Sequence, residues 1–282
     1  MKKLVVNFSG GRTSAYMAIR LWLSHRHEFD LYFVFANTGK ERPETLDFIQ
    51  RVSVHYSMPI VWLEGDFSRP LGKGIGYKVV DYVTADRTGR IFEEMIRKYG
   101  LPNVATPKCS QRMKAQVVSA WKRANGMRKV DQALGIRIDE IDRARKSKLK
   151  FQFVYPLISM FPSRKEDINK FWMNQPFDLM LKSYEGNCDL CFKKSLNKLK
   201  TIAIENPFLC RWWSEQEKKS GGKVFFRDYK SMLNIMQESL RPFKHAVDTS
   251  KIVTNLHQLE IDLQADDQQS GCAESCEAFL AE

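Results

Sequence analysis

No apolar run in this chain of 282 residues is long enough to cross a bilayer, which excludes a helical membrane protein as a reading. The opening stretch, Met1-Lys2-Lys3 and then Leu4 to Phe8, is too short in apolar length for a secretory signal, and a cytoplasmic protein is expected. Internal repeats and low-complexity segments are missing, which removes solenoids and disordered linkers. Histidine is scarce: His25, His27, His55, His245 and His257 fall in helical or surface segments, and no Ser-His-Asp arrangement is evident. A second C-x-x-C pair is absent, so the strong signature of a structural zinc site is not formed. Acidic residues are in deficit, 33 against 45 Lys and Arg, for a formal charge of +12. That excess points to a polyanionic partner, a nucleotide or a nucleic acid. It is spread over Arg143 to Lys150, Lys193 to Lys200 and Lys218 to Lys230, with no run long enough for a disordered basic arm.

What is present reads as an α/β fold. Hydrophobic residues make up 43% of the chain, enough for a sizeable core. Strands are expected at Leu4–Phe8, Leu31–Ala36 and Ile60–Leu63, separated by helices over about 14–24 and Pro43–Tyr56, the second with proline in its first turn. Unbroken apolar strands alternating with amphipathic helices imply a parallel sheet covered on both faces. Gly72 to Gly76 reads as a loop, Ile91–Tyr99 and Gln111–Asn125 as helices, Ala133–Ile136 and Phe151–Leu157 as strands, and Lys165–Met173 as a helix ending before Pro176. From Leu190 the pattern is mostly helical, with Trp212, Trp213, Phe225 and Phe226 as packing residues and a polar stretch at Gln264–Ser270. The expected division is 1–160 for a nucleotide-binding domain and 161–282 for a mostly helical region with the C-x-x-C site and a cysteine-bearing tail.

Three polar clusters sit at strand ends, where an open parallel sheet binds its ligands. The first, Ser9-Gly10-Gly11-Arg12-Thr13-Ser14, joins a strand to a helix. Its backbone N–H groups, the helix dipole and the hydroxyls suit a phosphate, although an ordinary turn with Ser14 as N-cap fits the same residues. The second, Asn37-Thr38-Gly39-Lys40-Glu41, offers groups for a base, a ribose or, through Glu41, a metal, or is a polar turn before Pro43. The third is Gly135-Ile136-Arg137-Ile138-Asp139-Glu140. Arg137 presents a planar fork for phosphate, while Asp139 and Glu140 either bind magnesium or pair with Arg143.

Six cysteines occur, at 109, 188, 191, 210, 272 and 276. Cys188-Asp189-Leu190-Cys191 can chelate a metal, hold an iron–sulfur cluster or act as a dithiol, with Cys109 as the further ligand expected. Zinc is the alternative metal, and Cys210 reads as a small buried hydrophobe.

Together these residues resemble the phosphoadenosine phosphosulfate (PAPS) reductase family, within the wider group of PP-loop ATP pyrophosphatases and adenine nucleotide α-hydrolases, and in particular its bacteriophage and prophage branch. Ser9 to Ser14 is similar to that family's S-G-G-K-D-S loop, Phe35 to Glu41 to its second motif, Cys109-Ser110-Gln111-Arg112-Met113-Lys114 to C-T-R-x-x-K, and Gly135 to Glu140 to G-I-R-x-D-E. The segments Gly186–Lys194 and Asn206–Glu217 resemble two further motifs of the phage branch. The likeness covers roughly residues 4 to 220. It implies a Rossmann-like parallel sheet, an adenine nucleotide (ATP, PAPS or APS) held by Ser9 to Ser14, Asn37, Thr38, Gly39, Glu41, Arg112, Lys114, Gly135, Arg137, Asp139 and Glu140, and chemistry near the α-phosphate in sulfur metabolism. Arg12 and Arg137 are the expected catalytic cations, and Mg²⁺ is an admissible companion of the nucleotide. A 4Fe-4S cluster on Cys109, Cys188 and Cys191 is implied, Cys188 lying 79 residues after Cys109 as in relatives. Three departures stand out. The loop Lys and Asp of the family are Arg12 and Thr13 here, and the catalytic E-C-G-I/L-H motif of true reductases is missing. Cys272 and Cys276 are the nearest counterpart, either as a redox thiol pair or as a source of the fourth ligand. ATP-dependent activation with sulfur insertion is the leading expectation, thiol-dependent sulfonucleotide reduction the second, and nucleotide or nucleic-acid binding without catalysis the third. A second copy of the chain is admitted as a partner, and a membrane is not.

Overall fold

Alternation along the first strand decides how the sheet is covered. Leu4, Val6 and Phe8 pack with one buried cluster and Val5 with another, as the two-residue period of a strand requires. The computed structural model describes residues 1–144, 153–222 and 226–251. In these, the strands are β1 (Lys2–Asn7), β2 (Phe29–Asn37), β3 (Ile60–Asp66), β4 (Gly76–Val80), β5 (Asp131–Ala133) and β6 (Phe153–Val154). They form one six-stranded sheet in the order β4-β3-β2-β1-β5-β6. All neighbours run parallel except β4, which is antiparallel to β3. The chain winds outward from β1 through β2 to β3, then returns to the other side of β1 as β5 and continues to β6. The winding direction therefore reverses between β1 and β5, and a crevice opens at the carboxyl ends of those strands.

Helices α1 (Arg12–His25), α2 (Pro43–His55), α3 (Arg90–Tyr99) and α4 (Gln116–Ala124) connect the first strands, and a π-helical segment, Cys109–Ala115, runs directly into α4. Further along lie α5 (Pro156–Ser159), α6 (Lys165–Met173), α7 (Leu196–Glu205), α8 (Phe208–Lys219) and α9 (Met232–Ser239). One face of the sheet, Leu4, Val6, Phe33, Phe35 and Trp62, is covered by α1, α2 and α6, with Trp172 packed edge-on against Phe48 at 4.8 Å. The other face, Val5, Val34, Ala36 and Leu63, is covered by α3, α4 and all three of α7, α8 and α9. Residues after 160 thus share both hydrophobic clusters with the residues before it.

Several expected elements differ in detail. The stretch after Gly72 carries an edge strand, β4, that its glycines concealed. Ala133–Ile136 is a strand only up to Ala133, because Leu134 to Ile136 bend out of the ladder toward the site; the Leu134 N–H still bonds Val154 O at 3.0 Å. Phe151–Leu157 is a strand only at Phe153–Val154 before Pro156 starts a helical turn, and residues 151 and 152 lie outside the described residues. Gln111–Asn125 is helical but begins as a π-turn at Cys109. Phe225, Gln264–Ser270, Cys272 and Cys276 lie outside the described residues.

Phe192, 1% exposed, ties the C-x-x-C segment into the core shared with the sheet. Phe192→Ala is expected to lower the unfolding free energy by about 3–5 kcal/mol, measured by urea denaturation. A loss below about 1 kcal/mol would contradict a core shared across the chain.

Candidate functional site

Glycine opens the site. Gly10 has φ +86°, and a Cβ there would meet Thr45 Cγ2 at 2.6 Å and Ile49 Cδ1 at 3.1 Å. Positive φ and close approach to α2 both demand glycine, so the chain turns tightly after β1 and delivers Gly11 in extended conformation as the N-cap of α1. No side chain caps this helix. Ser14 instead fastens the turn from within: its Oγ accepts from Ser9 N at 3.1 Å and Ser9 Oγ at 2.8 Å, and donates to Gly11 O at 3.0 Å. The N-cap role considered for Ser14 is not what it plays. Among the described residues the N–H groups of Arg12, Thr13 and Ser14 have no hydrogen-bond acceptor, and these residues are buried.

Arg12 does not face that first turn. Its guanidinium makes a forked pair with Asp178, Nε to Oδ1 at 2.7 Å and Nη2 to Oδ2 at 2.8 Å, and Nη2 also donates to Leu179 O at 2.6 Å. The Arg12 carbonyl accepts from Trp172 Nε1 at 3.1 Å. The side chain expected to serve as a catalytic cation is thus bound to the segment 178–181, as a clamp between α1 and the later half of the chain.

Arg137 approaches the loop from the start of the segment after β5. It lies beside the loop across the crevice, and its Nη1 donates to Thr13 Oγ1 at 3.2 Å. Its other edge pairs with Asp139, Nε to Oδ1 at 3.0 Å and Nη2 to Oδ2 at 3.0 Å, and Nη2 lies 3.6 Å from Glu140 Oε1. Glu140 also accepts from Arg143 at 2.5 Å. The carboxylates of Asp139 and Glu140 are therefore partners of arginine. Gly135 is buried in the bend that carries the chain from β5 to Arg137.

The loop after β2 is locked by its own side chains. Asn37, fully buried, donates from Nδ2 to Glu64 Oε1 at 2.7 Å and Asp86 O at 2.9 Å, and its Oδ1 accepts from Gly39 N at 3.1 Å. Glu41 accepts from Thr38 N at 2.8 Å and from Thr38 Oγ1, and Lys114 Nζ reaches to 3.6 Å of its Oε1. With these partners Asn37, Thr38 and Glu41 shape the loop; a direct reading of a base or ribose by Asn37 or Glu41 would need those bonds to break. Gly39 has φ +77°, where a Cβ would meet Asp86 Oδ2 at 2.5 Å. Arg112, on the π-turn, lies over the Tyr99 ring at 4.6 Å and donates to Gln116 Oε1 at 3.1 Å.

The C-x-x-C segment lies across both loops. Asn187 Nδ2 donates to Ser9 O at 2.9 Å, and Asn187 O accepts from Arg42 N at 2.8 Å and Thr45 Oγ1 at 3.2 Å. Cys188 bridges to Glu41, and Asp189 N donates to Lys40 O at 2.9 Å. Lys40 Nζ pairs with Asp189 Oδ2 at 2.6 Å, both side chains about nine-tenths buried, and lies 4.5 Å from the Trp212 ring. Burial pushes the Asp189 carboxyl up, against the pull of Lys40. Asp178, Glu64 and Asp86 were not singled out by the sequence; Asn187 was, in the segment Tyr184–Asn187 read as the loop that shapes the C-x-x-C site.

Cys109, Cys188 and Cys191 are half-buried and not in disulfides. Among the described residues no three His, Cys, Asp or Glu side chains are grouped to hold a metal ion. Cys210 is fully buried, as expected of a hydrophobic thiol, and burial followed by the nearby Asp189 pushes its pKa up to about 12. At pH 8 it therefore stays protonated. Native protein treated with iodoacetamide at that pH is expected to be modified at Cys188 and Cys191 and to spare Cys210 until urea is added, as read by peptide mass spectrometry. Native modification of Cys210 at the rate of Cys191 would contradict its placement.

No protein-family model matches the chain. It is similar to the uncharacterized nin region protein ORF290 of Escherichia phage lambda, 34% identical over 219 residues that take in 75% of this chain and 73% of that one. No helix among the described residues is long and apolar enough to cross a membrane.

Proposed function

This chain belongs to the family of the phage lambda nin region protein ORF290, and we propose that it binds an adenine nucleotide with the phosphates on the loop Ser9–Ser14 and acts at the α-phosphate in sulfur-related chemistry. The observation that carries the reading is the buried first turn of α1: N–H groups of Arg12, Thr13 and Ser14 without acceptors, at the carboxyl end of β1, where the winding reverses. Backbone donors and the positive end of a helix dipole are what a phosphate requires. Arg137, 3.2 Å from Thr13 Oγ1, adds a permanent charge at the rim. Adenine as the base, and sulfur as the element transferred, are drawn from the likeness of the four motifs to the PAPS reductase family. On the same likeness, Cys109, Cys188 and Cys191 would hold an iron–sulfur cluster, or zinc in its place. Magnesium would accompany the nucleotide.

One observation favours a second reading, nucleotide binding without turnover. The loop cation Arg12 is held by Asp178, which leaves the phosphates to backbone donors and Arg137.

Incubation with ATP or with PAPS, magnesium and a thiol separates the readings. The expected result is ATP binding with release of pyrophosphate or transfer of AMP. Sulfite released from PAPS would transfer the protein to thiol-dependent reduction, and binding without turnover would favour the second reading. Gly10→Ala is expected to weaken ATP binding roughly 5- to 150-fold, since a side chain at φ +86° displaces the turn at a cost of about 1–3 kcal/mol. Binding of neither nucleotide would overturn the proposal.

A further inference from the structure

A second cavity, of about 330 Å³, lies between the end of α3 and the start of the π-helical segment. Its size is at the small end of ligand pockets. Tyr99, Ala105, Thr106, Pro107, Lys108, Gln111 and Arg112 line it, with two cations and no carboxylate. The Arg112 guanidinium lies 4.6 Å from the Tyr99 ring centroid on one side and donates from Nη1 to Gln116 Oε1 at 3.1 Å. Stacked on an aromatic ring and tied at its edge, the fork is a fixed plane. Lys108 is placed by donating to Tyr99 O, at the carboxyl end of α3 where a cation is favoured, and keeps two further donors. The loop between them is preformed: Thr106 N and Oγ1 both bond Asn103 Oδ1, at 2.9 and 3.1 Å. Arg97 in the last turn of α3 extends the positive surface, and Lys98 Nζ, which donates to Phe67 O and Arg69 O, lies 5.3 Å from the centroid of the same Tyr99 ring.

A flat cation on an aromatic ring, with a neighbouring ammonium and amide, is a platform for a base with a phosphate beside it. A small anion would have no use for the plane, and an apolar ligand none for the charges. The surrounding cations and the charge of +12 favour a strand over a free nucleotide. We propose that this cavity seats one nucleotide of a single-stranded nucleic acid, its base on the open face of Arg112 and its phosphate against Lys108. The site stands on its own residues and does not rest on the nucleotide reading of Ser9–Ser14.

The test is fluorescence anisotropy with a labelled single-stranded oligodeoxythymidylate, whose pyrimidines keep it apart from an adenine site. Arg112→Ala and Arg112→Lys are both expected to weaken binding roughly tenfold, since lysine restores charge without the plane. Lys108→Ala is expected to lower the slope of log affinity against log salt by about 0.7, the value of one lost phosphate contact on a single strand. Circular dichroism melts show which variants remain folded, and the salt slope of Lys108→Ala gives an answer should the Arg112 variants not. Full rescue by Arg112→Lys would overturn the stacking role. Binding unchanged in all three variants, or thymidine monophosphate binding as tightly as the strand, would overturn the proposal.

Discussion

The first N–H groups of an α-helix have no partner within the helix, and leaving such groups buried and unmatched costs about 1–3 kcal/mol each. In α1 they belong to Arg12, Thr13 and Ser14, all buried. The surroundings hold this costly arrangement in place. Gly10 lets the turn press against Thr45 and Ile49, Ser14 closes it from within, and Trp172 holds the Arg12 carbonyl. A first turn kept rigid and unmatched in the interior stores capacity to accept an anion, because no reorganisation is needed when one arrives.

The later half of the chain braces this turn. Asp178 takes the Arg12 guanidinium, Asn187 takes the Ser9 carbonyl, and Asp189 takes Lys40 on the neighbouring loop. Each is a long-range tie from residues after 170 to the carboxyl ends of β1 and β2. Their apolar neighbours Leu190 and Phe192 are packed into the same cluster as Val5 and Val34. The C-x-x-C segment is therefore tied to both loops. The Arg12–Thr13 pair, unlike the Lys–Asp of the resembling family, also has a physical account. Arginine reaches a forked partner in Asp178, and threonine offers Arg137 a neutral acceptor.

Much of the framework was readable because its signals are local. The strand–glycine–helix order at residues 4–22, proline opening α2, and the helix Lys165–Met173 rest on neighbouring residues, and the convergence of Thr13 with Arg137 follows from parallel topology. What was hidden depends on contacts distant in sequence or on unusual geometry. Strand β4 lies behind glycines and alternates weakly at a sheet edge. The π-turn at Cys109–Ala115 breaks the helical period by which helices are recognised. Arg12 reads as a phosphate ligand until Asp178, 166 residues later, is found beside it. Asn37 and Glu41, polar residues at a strand end, become internal fasteners once Glu64, Asp86 and Thr38 are placed.

The central claim is that the open N–H groups of the first turn of α1 receive the phosphates. The most direct measurement is a ¹⁵N–¹H correlation spectrum of the labelled protein during titration with ATP. Large shifts at the amides of Gly11, Arg12, Thr13 and Ser14, with the amides of Gln111 and Arg112 little changed, are the predicted result. Saturable ATP binding that leaves the amides of Gly11 to Ser14 unmoved would contradict it.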